Sequence, residues 1–177
     1  TRSLNFALQA ALNPPKPGKQ ERRFGELIFR EGDRVMQTRN DYDVVWQKED
    51  GTAGTGIFNG DVGKIAKIDP SGELLEIVFD DRTATYTSDM LAELDMAYAM
   101  TVHKAQGSEY RGVVFVGAPC APSLMVRGVL YTAITRAREL LVIVGDDSAV
   151  NKMAENDRRS RRYSGLKWRL RKGGEEK

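Results

Sequence analysis

Two stretches of the chain carry polar residues of the kind that touch phosphates, each beside an apolar run. The first is Thr101-Val102-His103-Lys104-Ala105-Gln106-Gly107-Ser108-Glu109, preceded by the apolar residues 96–100. That order predicts a short buried strand, then a helix with Thr101 as its N-cap, stopped at Gly107, then a buried strand at residues 113–116. A helix that starts at a strand end turns unpaired N–H groups and a positive dipole outward, which suits a phosphate. The second stretch is Leu130-Tyr131-Thr132-Ala133-Ile134-Thr135-Arg136-Ala137-Arg138. At about 100° per residue, Val126, Leu130, Ala133, Ile134 and Ala137 form a core-facing stripe. Thr132, Thr135 and Arg136 then share the outer face, just before an apolar strand at residues 140–144. The planar guanidinium of Arg136 fits a terminal phosphate oxygen. The competing reading is an ordinary Arg–carboxylate surface pair of little energetic worth.

The elements that hold these stretches belong to a chain of 177 residues, long enough for one domain with a small insertion. Hydrophobic residues make up 41% and charged residues 29%, the balance of a globular protein rather than a disordered one. A net charge of +2 is too small to argue nucleic-acid binding by itself. With one cysteine, Cys120, and one histidine, His103, an internal disulfide is excluded and no zinc-type ligand cluster is expected. No signal peptide is recognisable and no apolar run is long enough to span a bilayer, so a reducing compartment such as the bacterial cytoplasm is the default expectation. The chain starts at Thr1 and goes straight into an amphipathic helical pattern with Leu4, Leu8, Ala11 and Leu12 on one face, as a fragment of something longer would.

After Asn13-Pro14-Pro15, residues 14–23 read as a linker. Residues 34–39 alternate like a strand, residues 40–43 end it, and residues 49–56 form a glycine-rich loop. That loop lacks the Gly-Lys-Ser/Thr ending of a phosphate-binding loop. Strands follow at 62–68, 74–79 and 83–87, separated by tight turns, the pattern of a small all-β barrel. Lys64 and Lys67 alternate there with Ile65 and Ile68, so both lysines are candidates for one outer face. A helix is expected at residues 149–155. Beyond it, residues 158–172 hold eight Lys or Arg and no acidic residue, a tail suited either to DNA phosphates or to solvent.

Taken together, these segments resemble the C-terminal part of a superfamily 1 DNA helicase of the RecD type. The stretch from Thr101 to Glu109 is similar to that family's motif V, and the stretch from Tyr131 to Arg138 is similar to its motif VI. Leu8-Gln9-Ala10-Ala11-Leu12-Asn13-Pro14, Val35-Met36-Gln37, Asn40-Asp41-Tyr42 and Phe58-Asn59-Gly60-Asp61-Val62-Gly63 match further family segments. The resemblance implies an α/β RecA-like, P-loop NTPase-like domain with a parallel sheet over residues 1–23 and 93–177. An SH3-like β-barrel would be inserted at residues 24–92.

In such helicases two RecA-like domains close on ATP and Mg2+ and step along single-stranded DNA. This chain contains no Gly-x-x-x-x-Gly-Lys-Ser/Thr, so the resemblance assigns it the second motor domain and leaves ATP and Mg2+ mainly to an N-terminal RecA-like domain. Arg136 becomes the arginine finger, with Gly107 and Glu109 near the nucleotide. Thr101 and His103 face DNA, Lys64 and Lys67 line the barrel's DNA face, and Lys104 and Gln106 couple the two sites. No ATP hydrolysis is expected of the fragment alone. Whether the parent works by itself or with exodeoxyribonuclease V subunits is left open. Two other readings compete: a non-catalytic nucleic-acid-binding module using the barrel and the basic tail, and, more distantly, an unrelated α/β nucleotide-binding enzyme, against which stands the lack of a glycine-rich phosphate fingerprint after a strand.

Overall fold

The computed structural model describes residues 1–158 and Gly165, and its contacts divide the chain into two compact units, Thr1–Ala105 and Gln106–Lys177. The first unit opens with helix α1 (Arg2–Leu12) and an antiparallel hairpin of β1 (Glu21–Phe24) and β2 (Leu27–Arg30). Seven further strands follow: β3 (Arg34–Gln37), β4 (Asp41–Gln47), β5 (Ala53–Ile57), β6 (Val62–Ile68), β7 (Leu74–Phe79), β8 (Arg82–Thr87) and β9 (Leu94–Met96). They form one antiparallel sheet in the order β5-β4-β8-β7-β6-β3-β9. Alternation decides which face is covered. Val35, Ile65, Leu75, Ile77, Phe79, Ala84 and Tyr86 point inward and pack into a single core with Phe29, Leu91 and Met96.

The sheet is strongly curled. In a flat sheet β3 and β8 would stand roughly 14 Å apart, three strand spacings. Instead the Tyr86 hydroxyl donates to Gln37 Oε1 at 3.0 Å, and Gln37 Nε2 donates in turn to Glu93 at 2.8 Å. A fully buried glutamine thus has partners on both sides, as buried amides require.

The expected strands at 62–68, 74–79 and 83–87 are present, whereas residues 40–43 and 49–56 require correction. Residues 41–43 open β4 instead of closing a strand, and the second half of the glycine-rich stretch is β5. Glycine serves packing here: a Cβ on Gly54 would lie 2.4 Å from Trp46 Cζ2, so only a bare backbone lets the indole lie across β5.

Helix α1 also departs from its apolar pattern. Leu4, Ala11 and Leu12 face outward, Leu12 being 69% exposed, while Asn5 and Gln9 are buried. The reason lies in what the helix lands on. Gln9 Nε2 donates to Asp33 Oδ2 at 2.6 Å and to Ile28 O at 2.8 Å. Asn13, just past the helix, donates to Asp33 Oδ1 at 2.6 Å and to Glu31 O at 3.1 Å. Asp33 is fully buried and also accepts from the Arg30 N–H at 2.8 Å and the Tyr98 hydroxyl at 2.8 Å. A surface of buried carboxylate and free carbonyls demands donors, so the helix turns its amides inward.

Burial and the Asp33 contact raise the Tyr98 phenol from an ordinary 10.0 to about 12. Because the folded-state value is the higher one, this contribution to stability is whole below pH 10 and is lost as pH rises through 12. An alkaline titration followed by circular dichroism should show stability falling across that window, and Tyr98→Phe should flatten the fall while lowering stability at neutral pH.

The second unit contains β10 (Tyr110–Gly117), α2 (Arg127–Ile134), β11 (Ala137–Gly145) and α3 (Asp147–Glu155). Strands β10 and β11 pair in parallel, Val114 opposite Val142, as expected of an α/β unit. Helix α3 begins where Asp146 Oδ1 accepts from the Ser148 N–H at 2.8 Å. The expected burial of residues 113–116 is met at Phe115 alone. Val114 is 65% exposed, and Leu140 on the paired strand 60%, since no further strand flanks the pair among the described residues. Parallel strands reach burial on both faces only inside a wider covered sheet. Apart from Arg158 and Gly165, the basic run at 158–172 lies outside the described residues. Among those described, no helix is long and apolar enough to cross a membrane and no cluster of His, Cys, Asp and Glu has metal-ligand spacing.

Candidate nucleotide and nucleic-acid site

In the second unit the two polar stretches meet. Helix α2 buries Leu130 and Ala133 as the periodicity expects, but Ile134 is half out and the helix stops there. Arg136 therefore lies on the turn between α2 and β11, not on the helix face. Its Nε donates to Thr132 O at 3.1 Å, one terminal nitrogen to Ser108 O at 2.8 Å, and the other to Thr135 Oγ1 at 3.2 Å. All three partners are neutral oxygens, so among the described residues the charge meets no carboxylate. A guanidinium has five N–H donors, which leaves two for an incoming anion.

The threonine hydroxyls need correcting as phosphate donors. Thr132 donates to Gly128 O at 2.8 Å and Thr135 to Tyr131 O at 3.0 Å, each back into its own helix.

The Gly107 and Glu109 candidates flank Ser108, the residue whose carbonyl holds Arg136. Gly107 has φ +92°, a left-handed conformation that a side chain would strain, with open space where a Cβ would stand. The Glu109 carboxylate is engaged by Arg138 at 3.2 Å, an exposed pair. Gln106 is exposed at the start of the unit.

In the first unit the helix expected after Thr101 is not formed. Residues 102–107 are a run of turns in which Thr101 Oγ1 accepts from the Lys104 N–H at 3.3 Å and Thr101 O from the Ala105 N–H at 3.1 Å. One cap and one turn are in place, but Gly107 ends the run before a helix pays its nucleation cost. The expected strand at 96–100 likewise stops at Met96, where β9 ends. Thr101 and His103 are exposed, and Lys104 pairs with Asp95 at 3.0 Å.

Lys64 and Lys67 are both exposed on β6. Three residues apart, they would point to opposite faces under strict alternation. An irregularity between Ile65 and Lys67 absorbs one residue and brings both outward. Their surroundings differ. Lys67 stands opposite Glu76 on β7, whereas Lys64 stands opposite Arg34 on β3, and neither cation of the second pair has a carboxylate partner among the described residues. Like charges directly across a ladder repel, so an anion placed over them relieves a cost already present. Arg34 was not among the sequence candidates, and only knowledge of the β3–β6 register singles it out. A groove of about 630 Å³ on the β4–β8–β7 face is lined by Asp41, Asp43, Glu76 and Trp46, and its carboxylates make it unfit for phosphates.

Comparison with known proteins adds the following. Residues 4–79 match the family model described as the ATP-dependent RecD-like DNA helicase SH3 domain, and residues 96–144 match the UvrD-like helicase C-terminal domain. An ATP-dependent RecD2 DNA helicase from Deinococcus radiodurans is 37% identical over 158 residues, covering 89% of this chain and 20% of the relative. The RecBCD enzyme subunit RecD of Mycolicibacterium smegmatis is 32% identical over 143 residues, covering 81% of this chain and 23% of the relative. The chain therefore spans about a fifth of the length of these curated relatives. Among solved structures, a Pif1 helicase from Bacteroides in complex with ADP-AlF3 and ssDNA has a TM-score of 0.52 at 18% identity, covering 98% of this chain and 44% of the other. That likeness bears on fold alone.

Proposed function

We infer that this chain, a member of the RecD-like DNA helicase family, supplies the arginine-finger half of an ATP site and part of a single-stranded DNA path in a longer motor. One observation carries this reading: the Arg136 guanidinium bridges the two motifs, docked on Ser108 O at 2.8 Å with its charge unneutralised and two donors to spare. Charge grows on the oxygens of the transferring phosphoryl group in the transition state, and a preorganised guanidinium stabilises it without reorganising. Gly107 leaves room for the nucleotide beside it, and Glu109, tethered to Arg138, stands ready to accept from a ribose hydroxyl.

In this reading the triphosphate and its Mg2+ rest mainly on an N-terminal RecA-like domain bearing the Walker A lysine. The exposed apolar flanks of β10 and β11 support it, because a parallel pair of this kind belongs in a wider sheet. The curled sheet of the first unit is proposed as the SH3-like barrel inserted at residues 24–92, with residues 1–23 and 93–177 contributing to the motor domain. DNA lies along Lys64, Thr101 and His103, while Lys104 and Gln106 connect strand and nucleotide. The family reading also makes exodeoxyribonuclease V subunits candidate partners, as the RecD name of the mycobacterial relative suggests.

A salt titration of single-stranded DNA affinity tests the nucleic-acid half. Each phosphate contact that is lost lowers the slope of log affinity against log salt by about 0.7 for a single strand. Lys64→Ala should lower the slope by about that amount. Lys67→Ala, whose charge already faces Glu76, should leave it nearly unchanged. Equal slopes in both variants would remove Lys64 from the path. Salt-dependent affinity that ignores nucleotide in the complete protein would favour the non-catalytic binding module instead.

A further inference from the structure

We propose that Asn5 on α1 is a positioning residue for the Thr101–Ala105 turn, an extension of the reading that Thr101 and His103 touch DNA. Its side chain is buried and nearly saturated. Nδ2 donates to Met96 O at 3.1 Å and to Ala99 O at 2.9 Å, while Oδ1 accepts from the Ala99 N–H at 2.7 Å. Taking both the N–H and the C=O of one residue is what a neighbouring strand does. β9 ends at Met96 and the Ala97 N–H still donates to Arg34 O at 2.9 Å, so residues 98–100 have left the ladder, and Asn5 stands in for the strand that Ala99 lacks.

The clamp has a foundation. One and two turns along the same helical line, Gln9 and Asn13 grip Asp33, and Asp33 holds Tyr98, the neighbour of Ala99. Tyr98 and Ala99 are thus tied on successive residues, by a carboxylate and by an amide, immediately before Thr101. A packing role for α1 would put leucines on the buried face, yet Asn5 and Gln9 hold that face, Leu4 and Leu12 face out and Leu8 is half-buried. Polar groups instead fix direction, which matters where the next residues must meet a ligand in register. Lys104, anchored on Asp95, fixes the far end of the same turn.

The test uses Asn5→Asp in the complete helicase, a nearly isosteric change that keeps the acceptor for the Ala99 N–H and sets a carboxylate oxygen against two carbonyls. The expected result is a rise of about tenfold or more in the single-stranded DNA concentration giving half-maximal ATP turnover, since displacements near 1 Å at a positioned group reach that scale. Turnover at saturating DNA should change little, and amide exchange at Ala99 should speed up. Leu8→Gly is the control, for it weakens the same helix and leaves the hydrogen-bonding side chains of Asn5, Gln9, Asn13 and Asp33 in place. It should lower the melting temperature but leave DNA half-saturation in place. Should Asn5→Asp fail to fold, Asn5→Ser, which retains one hydroxyl, carries the same readouts.

Equal shifts in DNA half-saturation for Asn5→Asp and Leu8→Gly would overturn the proposal in favour of general helix docking. Faster exchange at Ala99 with an unchanged DNA response would overturn the positioning role while leaving the DNA reading intact. A wild-type enzyme whose turnover ignores single-stranded DNA would overturn the DNA reading and, with it, the purpose of the clamp.

Discussion

With Arg136 in the proposed finger role, Arg136→Ala in the complete protein should lower ATP turnover by about 10³–10⁵, the range over which arginine fingers act in related phosphoryl-transfer enzymes. Single-stranded DNA affinity without nucleotide should stay within a few-fold of wild type. The size of the effect follows from the timing of the interaction. The guanidinium rests on Thr132 O, Ser108 O and Thr135 Oγ1, partners that all belong to the chain itself. In the proposed role the two remaining donors meet charge that reaches its maximum only as the phosphoryl group transfers, so the loss would fall on turnover more than on ATP affinity. Arg136→Lys should recover little. An ammonium keeps the charge but cannot hold the two carbonyls and the threonine hydroxyl in one plane while presenting further donors. Steady-state ATPase assays with saturating DNA provide the measurement. Turnover of Arg136→Ala within a few-fold of wild type would remove the finger role.

Asp33→Ala carries the largest expected effect on stability. The wild-type carboxylate is fully buried and satisfies Gln9, Asn13, the Arg30 N–H and the Tyr98 hydroxyl at once. Hydrogen bonds to a charged acceptor contribute about 1.5–3 kcal/mol each, and removing the acceptor leaves every donor desolvated. Some of the four will find water in the space vacated, so the net loss is put at about 3–5 kcal/mol, the scale of breaking a buried charged network. Against a total stability of about 5–15 kcal/mol for a domain, that is a large share. Urea unfolding should show the midpoint falling steeply. The slope should fall too if α1 comes away, because less surface then remains to be exposed on unfolding. A loss under about 1 kcal/mol would mean that the four donors have ready alternative partners.

The same residues show what could be read in advance. Period-two alternation located β7 and β8, and β6 up to its irregular residue, because side-chain burial there follows the backbone repeat, while apolar runs located β10 and β11 although most of their side chains are exposed. Apolar periodicity misjudged α1, since it counts leucines and is blind to a helix whose landing site is a carboxylate. The signal was present in another form: Asn5, Gln9 and Asn13 recur every four residues along one side. Strands β4 and β5 were obscured by Asp, Asn and Gly, residues that favour turns unless cross-strand partners such as Trp46 over Gly54 decide otherwise. The turn at 101–107 has a capping threonine, yet a helix needs more than one turn to repay its start.

At the candidate site, the type and spacing of Arg136 pointed to an anion, but its dock on Ser108 is a backbone contact that no residue pattern encodes. The division of Lys64 from Lys67 depends on one irregular residue in β6 and on the identity of the residue opposite each.

Differential binding decides whether Arg136 reaches the reacting phosphoryl group. Affinities of the complete enzyme for ADP with aluminium fluoride, which mimics the transferring group, and for a non-hydrolysable ATP analogue are measured with Arg136 and with Arg136→Ala. Loss of the guanidinium should weaken the transition-state mimic by at least about 100-fold and leave the ground-state analogue within a few-fold. Equal weakening of both, or of neither, would mean that Arg136 does not meet the transferring group.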